Sequence, residues 1–454
     1  MTIKKPLLTA LCLILVPAGI LYAQSAVLEK YIQEGIKSNL QLQQEELNYQ
    51  RRVEDLEIAR ALFMPQLGVN ASYSLANGGR KISIPIGDLL NPVYSTLNSL
   101  TGTSNFPMVE NQSTQFLPNN FHDTKLRVIQ PIFNPDIYFN YKAQKDLVSV
   151  QQAQRNAYEN DLKYNIASSY YQYLETEASL KILHQTRSIL QELLKINQRL
   201  VSNEKATKDV VLTTDYELDK LDQQLADAEK NNAVARSYFN FLLNRDLNME
   251  IEQDTMFISG VTTKYDLQEL RTTALENRQE LRQTQGGLDA TNELTTLNKA
   301  SVALPKISVV GDAGYQGYYY KFNNDQRYWL VQFSLTWDIF KGGEKQARVQ
   351  QAKIDYQIAE NRMEQLKKQI ELQVIQSYHE FEAAQRSFST SLSGVKTTER
   401  SFQIIRSKYA EGQAIMLEYL DAENKLTTAR LTQVINTYEL LRKEAALQRT
   451  IANL

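Results

Sequence analysis

Glu418 and Asp421 are two carboxylates that lie one helical turn apart, shortly after Gly412 interrupts a long helical pattern. Such a pair can serve an enzyme as general acid and general base. It can also lie in the first turn of a helix, where negative charge is favoured, or contribute to a ring of carboxylates around a narrow pore. The pair alone leaves these three interpretations open, so the elements that position it must decide between them.

The rest of the chain gives little support to an enzyme. Its three histidines, His122, His184 and His379, have neither the spacing of a metal site nor that of a catalytic triad. The only cysteine is Cys12, so a chain that loses its N-terminal segment has no thiol for chemistry or metal binding. We therefore predict no enzymatic activity, no cofactor and no bound metal.

Residues 1–23 have the pattern of a secretory signal peptide, in which Lys4 and Lys5 precede an apolar stretch and Ala23 offers a small residue for cleavage. No later apolar run approaches the ~20 residues that a membrane-spanning helix needs. An exported chain of this kind can enter a membrane only as strands. The near balance of 50 basic and 52 acidic residues gives no indication of a nucleic-acid partner.

The remaining sequence reads as two tandem repeats, which we place at 24–260 and 261–454. Pro65 and Pro305 each end a helical stretch and precede an alternating run, and the helical segments that follow also resemble each other. A duplication of this kind predicts that each half builds the same set of elements.

Each repeat contains two strands that alternate between apolar and polar residues, predicted at about 66–75, 123–133, 306–319 and 327–340. Strands of ~10 residues with one apolar and one polar face are typical of membrane β-barrels, although a half-buried sheet in a soluble protein alternates equally well. The segment 76–122 is rich in Gly, Pro, Asn, Ser and Thr and is predicted to be a long loop. The residues predicted to face lipid are Leu67, Val69, Tyr73, Trp329, Val331, Phe333, Leu335 and Trp337.

Long helical hairpins are predicted at 135–244 and 343–453. A strict seven-residue apolar repeat favours helices that supercoil around their neighbours. Four strands cannot close a barrel, for which ~8 are needed, and open sheet edges are not tolerated in lipid. If the strands lie in a membrane, several chains must therefore share one barrel. The residues of the repeat in the second hairpin are Val374, Phe381, Phe388, Val395, Phe402 and Tyr409.

Taken in their order along the chain, the strands and helical hairpins of the two repeats resemble those of the TolC family of outer-membrane efflux ducts. The resemblance is carried by a helix with Asn39 and Leu42 before Pro65, by the sequence NRQEL before Pro305, and by the C-terminal sequence YAEGQAIMLEYLDAENKLTTARL. It implies an α+β membrane protein that forms a homotrimer. Each chain would give four strands to a 12-stranded β-barrel and long helices to a periplasmic α-barrel.

The resemblance also implies roles for the opening pair of carboxylates and their neighbours. Gly412 matches the glycine at the tip of a helical hairpin, and Tyr409 matches a tyrosine of the periplasmic gate. Glu418 and Asp421 match the two positions of an acidic ring, with glutamate where better-known members have aspartate. Asp209 matches a further gate carboxylate.

In the first hairpin, Asn203 falls near the position of the tip glycine, and asparagine tolerates the left-handed backbone of such a turn. The tips at Asn203 and Gly412 would then be where a periplasmic adaptor docks. An arginine that latches the gate in some members falls on Ala414, so that contact is expected to be absent.

The resulting prediction is an outer-membrane channel that extends into the periplasm as part of a tripartite efflux or type I secretion system. Its expected partners are two further copies of the chain, a periplasmic adaptor, an inner-membrane transporter of the RND or ABC type, and outer-membrane lipid. The channel would be a passive conduit that the adaptor opens. The alternative is an exported, non-conducting coiled-coil scaffold or adhesin.

Overall fold

The computed structural model describes residues 26–254 and 264–453. The predicted signal peptide and the predicted boundary between the repeats near residue 260 lie outside this part of the chain. In chain order the elements are α1 (Ala26–Ser38), α2 (Leu40–Ala61), β1 (Gln66–Ser74), β2 (Lys81–Ile84), α3 (Ile86–Thr101), β3 (Gln112–Gln115), β4 (Phe121–Phe133), α4 (Pro135–Ser202), α5 (Asp209–Leu242), α6 (Leu267–Asn277), α7 (Gln279–Ala303), β5 (Lys306–Tyr318), β6 (Arg327–Thr336), α8 (Glu344–Ala410) and α9 (Met416–Thr450).

The chain forms two compact units, and each unit contains parts of both predicted repeats. The first combines Met1–Tyr49, Gln151–Gln283 and Met363–Leu454, so its described part is helical. The second combines Gln50–Val150 and Thr284–Arg362 and contains the strands. None of the described helices has both the length and the hydropathy that a membrane crossing requires.

The core of the first unit follows the seven-residue repeat of α8 closely. Five of its six predicted positions are buried, and Val395 is half-buried. In α4 the buried stripe begins at Ile166 and Tyr173 and then moves to Leu183, Leu190 and Asn197. A straight α-helix drifts by roughly 20° per heptad relative to a perfect 3.5-residue repeat, so over 68 residues one stripe gives way to its neighbour.

The second unit contains a four-stranded antiparallel sheet in the order β1-β4-β5-β6. Directly paired residues lie on the same face of a sheet. Leu67 of β1 lies opposite Val128 of β4, and Ala313 of β5 lies opposite Trp329 of β6. The odd-numbered residues of β1 and β6 therefore lie on one apolar face. This face is exposed in the single chain, with Trp329 and Phe333 both 78% accessible. Within residues 26–254 and 264–453, no strand pairs with the outer edge of β1 or β6.

Strand β6 ends at Thr336, four residues before the predicted end at 340. Its partner β5 begins at Lys306, directly opposite Thr336. The residue before Lys306 is Pro305, which has no amide hydrogen to donate to a further pair. Trp337, predicted as a strand residue of the lipid face, is therefore exposed just beyond the strand.

The segment 76–122 is not the loop that its composition predicted, because it contains α3 and the paired strands β2 and β3. Asparagine side chains supply the backbone partners that helix ends and irregular segments lack. The Oδ1 of Asn111 accepts hydrogen bonds from the amides of Gly87 and Asp88 at the start of α3, at 2.9 and 3.1 Å. Asn91 pairs through both side-chain atoms with the backbone of Val109, at 2.8 and 2.9 Å.

Candidate functional site

The two long hairpins of the first unit turn in the same way. After α8, the amide of Gln413 donates to the carbonyl of Lys408 at 2.8 Å, and Gly412 has φ = 73°. After α4, the amide of Lys205 donates to the carbonyl of Leu200 at 2.8 Å. Both are Schellman turns, which require a left-handed residue just past the helix end.

The left-handed residue of the first turn is Glu204, with φ = 59°. Asn203, which the resemblance placed near the tip, is the residue just before Glu204. Asn203 is exposed and its amide still donates to Arg199, so it belongs to the last turn of the helical hydrogen-bond pattern. A glutamate with a left-handed backbone is strained where Gly412 is not.

The two carboxylates of the opening motif are both exposed in the first two turns of α9. Glu418 Oε2 accepts a hydrogen bond from the amide of Ile415 at 3.2 Å, which caps the N-terminus of the helix. Asp421 Oδ2 lies 2.6 Å from the Nζ of Lys425, one turn further along. Glu418 therefore lies at the helix end, as one of the three interpretations predicts. Asp421 is the member of the pair that has a nearby positive charge.

Asp209 lies at the start of α5, the equivalent place in the first hairpin, and is exposed. It accepts a hydrogen bond from the Thr207 hydroxyl. The second helix of each hairpin, α5 or α9, thus begins with an exposed carboxylate beside a tight turn. This arrangement concentrates negative charge at the two turns, where the positive end of each helix dipole favours it.

Tyr409 is placed differently from the predicted gate carboxylates. Its side chain is buried, and its ring centroid lies 5.2 Å from that of Tyr419. The Tyr409 hydroxyl donates to Oδ1 of Asn197, and Nδ2 of Asn197 donates to Oγ1 of Thr214 at 2.8 Å. Burial raises the pKa of Tyr409, which therefore stays a neutral donor.

Glu423 is a buried carboxylate that sequence reasoning missed. It is 3% exposed and accepts a hydrogen bond from the Thr427 hydroxyl at 2.6 Å, and that hydroxyl lies 2.7 Å from the hydroxyl of Thr186. Burial raises its pKa, an effect that nearby Glu217 reinforces. Glu423 follows the buried Tyr419 by one helical turn, so it lies on the apolar stripe of α9. This spacing is the sequence signal that could have revealed its burial.

A second polar cluster, also missed, lies on the face of the sheet opposite the apolar one. Arg127 in β4 makes a bidentate pair with Asp312 in β5, at 2.8 and 2.7 Å. Asp123 accepts from Lys125 at 2.5 Å and from the Tyr328 hydroxyl at 2.9 Å. The alternation of charged residues along β4 was the signal that could have revealed it.

Comparison with known proteins shows which family the chain resembles. Residues 270–453 match the family model described as "Outer membrane efflux protein". Outer membrane protein TolC of Escherichia coli (strain K12) is 22% identical over 433 residues, which cover 90% of this chain and 78% of that protein. Residues 270–453 are therefore similar to the outer membrane efflux protein family. The predicted resemblance to TolC and the predicted location in the outer membrane, extending into the periplasm, are thereby confirmed.

Solved structures of this family share the fold. The outer-membrane channel OprN superposes with a TM-score of 0.77 at 18% identity, covering 94% of this chain and 90% of that one. The Campylobacter jejuni CmeC channel gives 0.76 at 14% identity, with 94% and 86% covered. The open state of the Neisseria gonorrhoeae MtrE channel gives 0.75 at 16% identity, with 94% and 88% covered. The predicted fold class, with paired strands and long helices in one chain, is confirmed.

Proposed function

We propose that this efflux-family protein is a passive outer-membrane channel, formed by three copies of the chain, for a tripartite efflux or type I secretion system. The observation that carries the proposal is the four-stranded sheet, which has one exposed apolar face, one polar face and two free edges. Sheet edges in lipid leave backbone groups without hydrogen-bond partners, so they must pair with further strands. Three copies would supply twelve strands and close the barrel.

The two faces of the sheet support a barrel with a wet interior. The apolar face, with Leu67, Val69, Tyr73, Trp329 and Phe333 exposed, would contact lipid. The opposite face, which bears the Arg127–Asp312 pair, would line an aqueous lumen. Alternation of this kind is what a water-filled membrane barrel requires.

The exposed carboxylates beside the turns support a gate at the periplasmic end. Three copies would place three each of Glu418, Asp421 and Asp209 around one axis. In a narrow mouth these charges would favour cations. Tyr409 would not line the mouth of the channel. Its buried side chain would instead hold the turn in place through its contacts with the neighbouring helices.

The turns themselves are the proposed docking points for a periplasmic adaptor. Gly412, Asn203 and Glu204 are exposed residues in the turns of the two hairpins. An adaptor that binds the open arrangement better than the closed one would open the channel. An inner-membrane transporter of the RND or ABC type would supply the energy, and the channel itself would do no chemistry.

Single-channel recording in planar bilayers tests the proposal. The variant Glu418→Gln/Asp421→Asn removes two charges while the glutamine can still cap α9. The matched control, Glu229→Gln/Asp227→Asn, removes the same charges from exposed positions several turns along α5. We expect small cation-selective steps from the unmodified protein, reduced selectivity in the first variant and no change in the control.

Two other results would change the proposal in different ways. Selectivity that survives in the first variant would retain the channel and remove these carboxylates from the gate. A folded trimer that conducts under no condition would contradict the channel, and release of the protein from membranes by washing would favour the scaffold.

A further inference from the structure

An apolar cavity of about 390 Å³ lies in the second unit, where β4 ends and α4 begins. Its walls include Phe63, Ile132, Phe133, Tyr138, Phe139 and Leu304. Phe63 precedes β1 and Leu304 precedes β5, the two strands that pair with β4. The chain's own side chains therefore close both flanks of the cavity.

A bulge in β4 makes this cavity continuous with the apolar face of the sheet. The pairing shifts between Pro131 and Phe133, so that Phe133 lies opposite Ile307. Without the bulge, Phe133 would share the polar face with Arg127; with it, Phe133 joins the apolar face. Ile132, the extra residue, is 61% exposed, so the cavity opens toward the surface that meets lipid in the proposed barrel.

A cation lies beside this opening. The Nζ of Lys142 is 5.1 Å from the ring centroid of Tyr138 and 5.8 Å from that of Phe139, and both rings line the cavity. It also lies 3.5 Å from Oε1 of Glu293, so a carboxylate already holds it in place. An apolar slot with aromatic walls and an ammonium group one helical turn away matches a molecule with a hydrocarbon chain and an anionic head.

We infer that this cavity binds one acyl chain of a membrane glycerophospholipid, whose phosphate meets Lys142. The inference rests on the proposed function, because that function places the apolar face in lipid. The lipid would fill the space that the chain's own side chains leave where β4 meets α4. It would also hold the end of the barrel strand and the start of α4 in one arrangement.

Native mass spectrometry of the purified, delipidated trimer with added palmitoyl-oleoyl phosphatidylglycerol tests this. Leu304→Trp fills the cavity, and Leu335→Trp is the matched control, since Leu335 is exposed on the same apolar face outside the cavity. We expect up to one retained lipid per chain and an affinity about tenfold weaker for Leu304→Trp. The control should bind like the unmodified protein.

The role of the head group is tested with Lys142→Gln. We expect this variant to lose affinity for phosphatidylglycerol while it binds the phosphate-free lipid palmitoyl-oleoyl glycerol as the unmodified protein does. Ile132→Trp, which narrows the opening at an exposed position, provides a second filled variant should Leu304→Trp fail to fold.

Three results would overturn the inference. Equal binding by the filled variants and the control would place the lipid elsewhere, and equal binding of both lipids by all proteins would exclude a phosphate contact. Lipid bound by dissociated chains but not by trimers would show that a neighbouring copy fills the cavity. A protein that is monomeric throughout or does not conduct would instead contradict the proposed function, whatever its lipid binding.

Discussion

The Tyr409 hydroxyl donates a hydrogen bond of 2.6 Å to Oδ1 of Asn197, and both side chains are buried, at 9% and 0% exposure. Asn197 belongs to α4 and Tyr409 to α8, so the bond joins the two hairpins close to their turns. The same amide donates to Thr214 in α5. One asparagine thus links three helices at the end of the first unit that bears the proposed gate.

Tyr409→Phe removes this bond while it retains the ring. We expect the variant to lose about 1–3 kcal/mol of stability, because the Oδ1 of Asn197 is left buried without its donor. Thermal unfolding followed by circular dichroism measures the effect. Tyr216→Phe, at an exposed tyrosine of α5, is the control and should change nothing. The double variant Tyr409→Phe/Asn197→Leu should lose less stability than the two single variants lose in sum, because both remove the same bond. A loss equal to that sum would contradict the link.

Glu204→Gly should stabilise the turn between α4 and α5. Glu204 has the left-handed backbone that glycine adopts without strain, and the gain is expected to be about 1 kcal/mol. The reciprocal change Gly412→Glu should destabilise the other turn by a similar amount. Thermal unfolding of both variants, with Asn203→Gly as the control at the neighbouring position, makes the comparison. A destabilised Glu204→Gly variant would mean that the glutamate side chain holds the turn through another contact.

Lys425→Gln should make the channel more cation-selective. The ammonium group of Lys425 lies 2.6 Å from Asp421 and offsets its charge, so removal of Lys425 leaves the Asp421 of each copy uncompensated. Reversal potentials in a salt gradient measure the selectivity. Lys230→Gln removes the same charge from an exposed pair with Asp227 in α5 and is the control. An unchanged reversal potential in Lys425→Gln would place Asp421 outside the narrow part of the pore.

Glu423→Gln should change how stability depends on pH. Burial raises the pKa of Glu423 above its ordinary value of 4.5, so the folded state binds the proton more tightly than the unfolded state does. The free energy of unfolding therefore falls as pH rises from about 4.5 through the raised pKa. The glutamine variant lacks this fall, and it should be the more stable protein at neutral pH but not below the ordinary pKa.

Melting temperatures across this pH range, with the exposed Glu229→Gln as the control, measure the difference between the two proteins. A difference in melting temperature that is the same at every pH would mean that unfolding does not change the protonation of Glu423 in this range. A less stable glutamine variant at neutral pH would show that the charged form is the one that the Thr427 hydroxyl favours.

Several features of the fold follow from short-range patterns and were therefore predictable. Period-two alternation located the four strands, and a seven-residue repeat located α8, because each pattern reports the geometry of its own backbone. Gly412 marked a turn because a left-handed backbone favours glycine. The resemblance to the TolC family rested in addition on specific segments, such as NRQEL before Pro305 and the sequence around Gly412.

Other features depend on contacts between distant residues, and only the tertiary structure decided them. Composition could not show that Asn91 and Asn111 pair with backbone 18 and 24 residues away along the chain, so 76–122 was predicted to be a loop. The resemblance placed Tyr409 at the gate, and only the packing of the helices shows that its hydroxyl meets Asn197. Burial of Glu423 and the pairing of Arg127 with Asp312 likewise arise only when separate elements meet, since a side chain's environment is set by its neighbours in space.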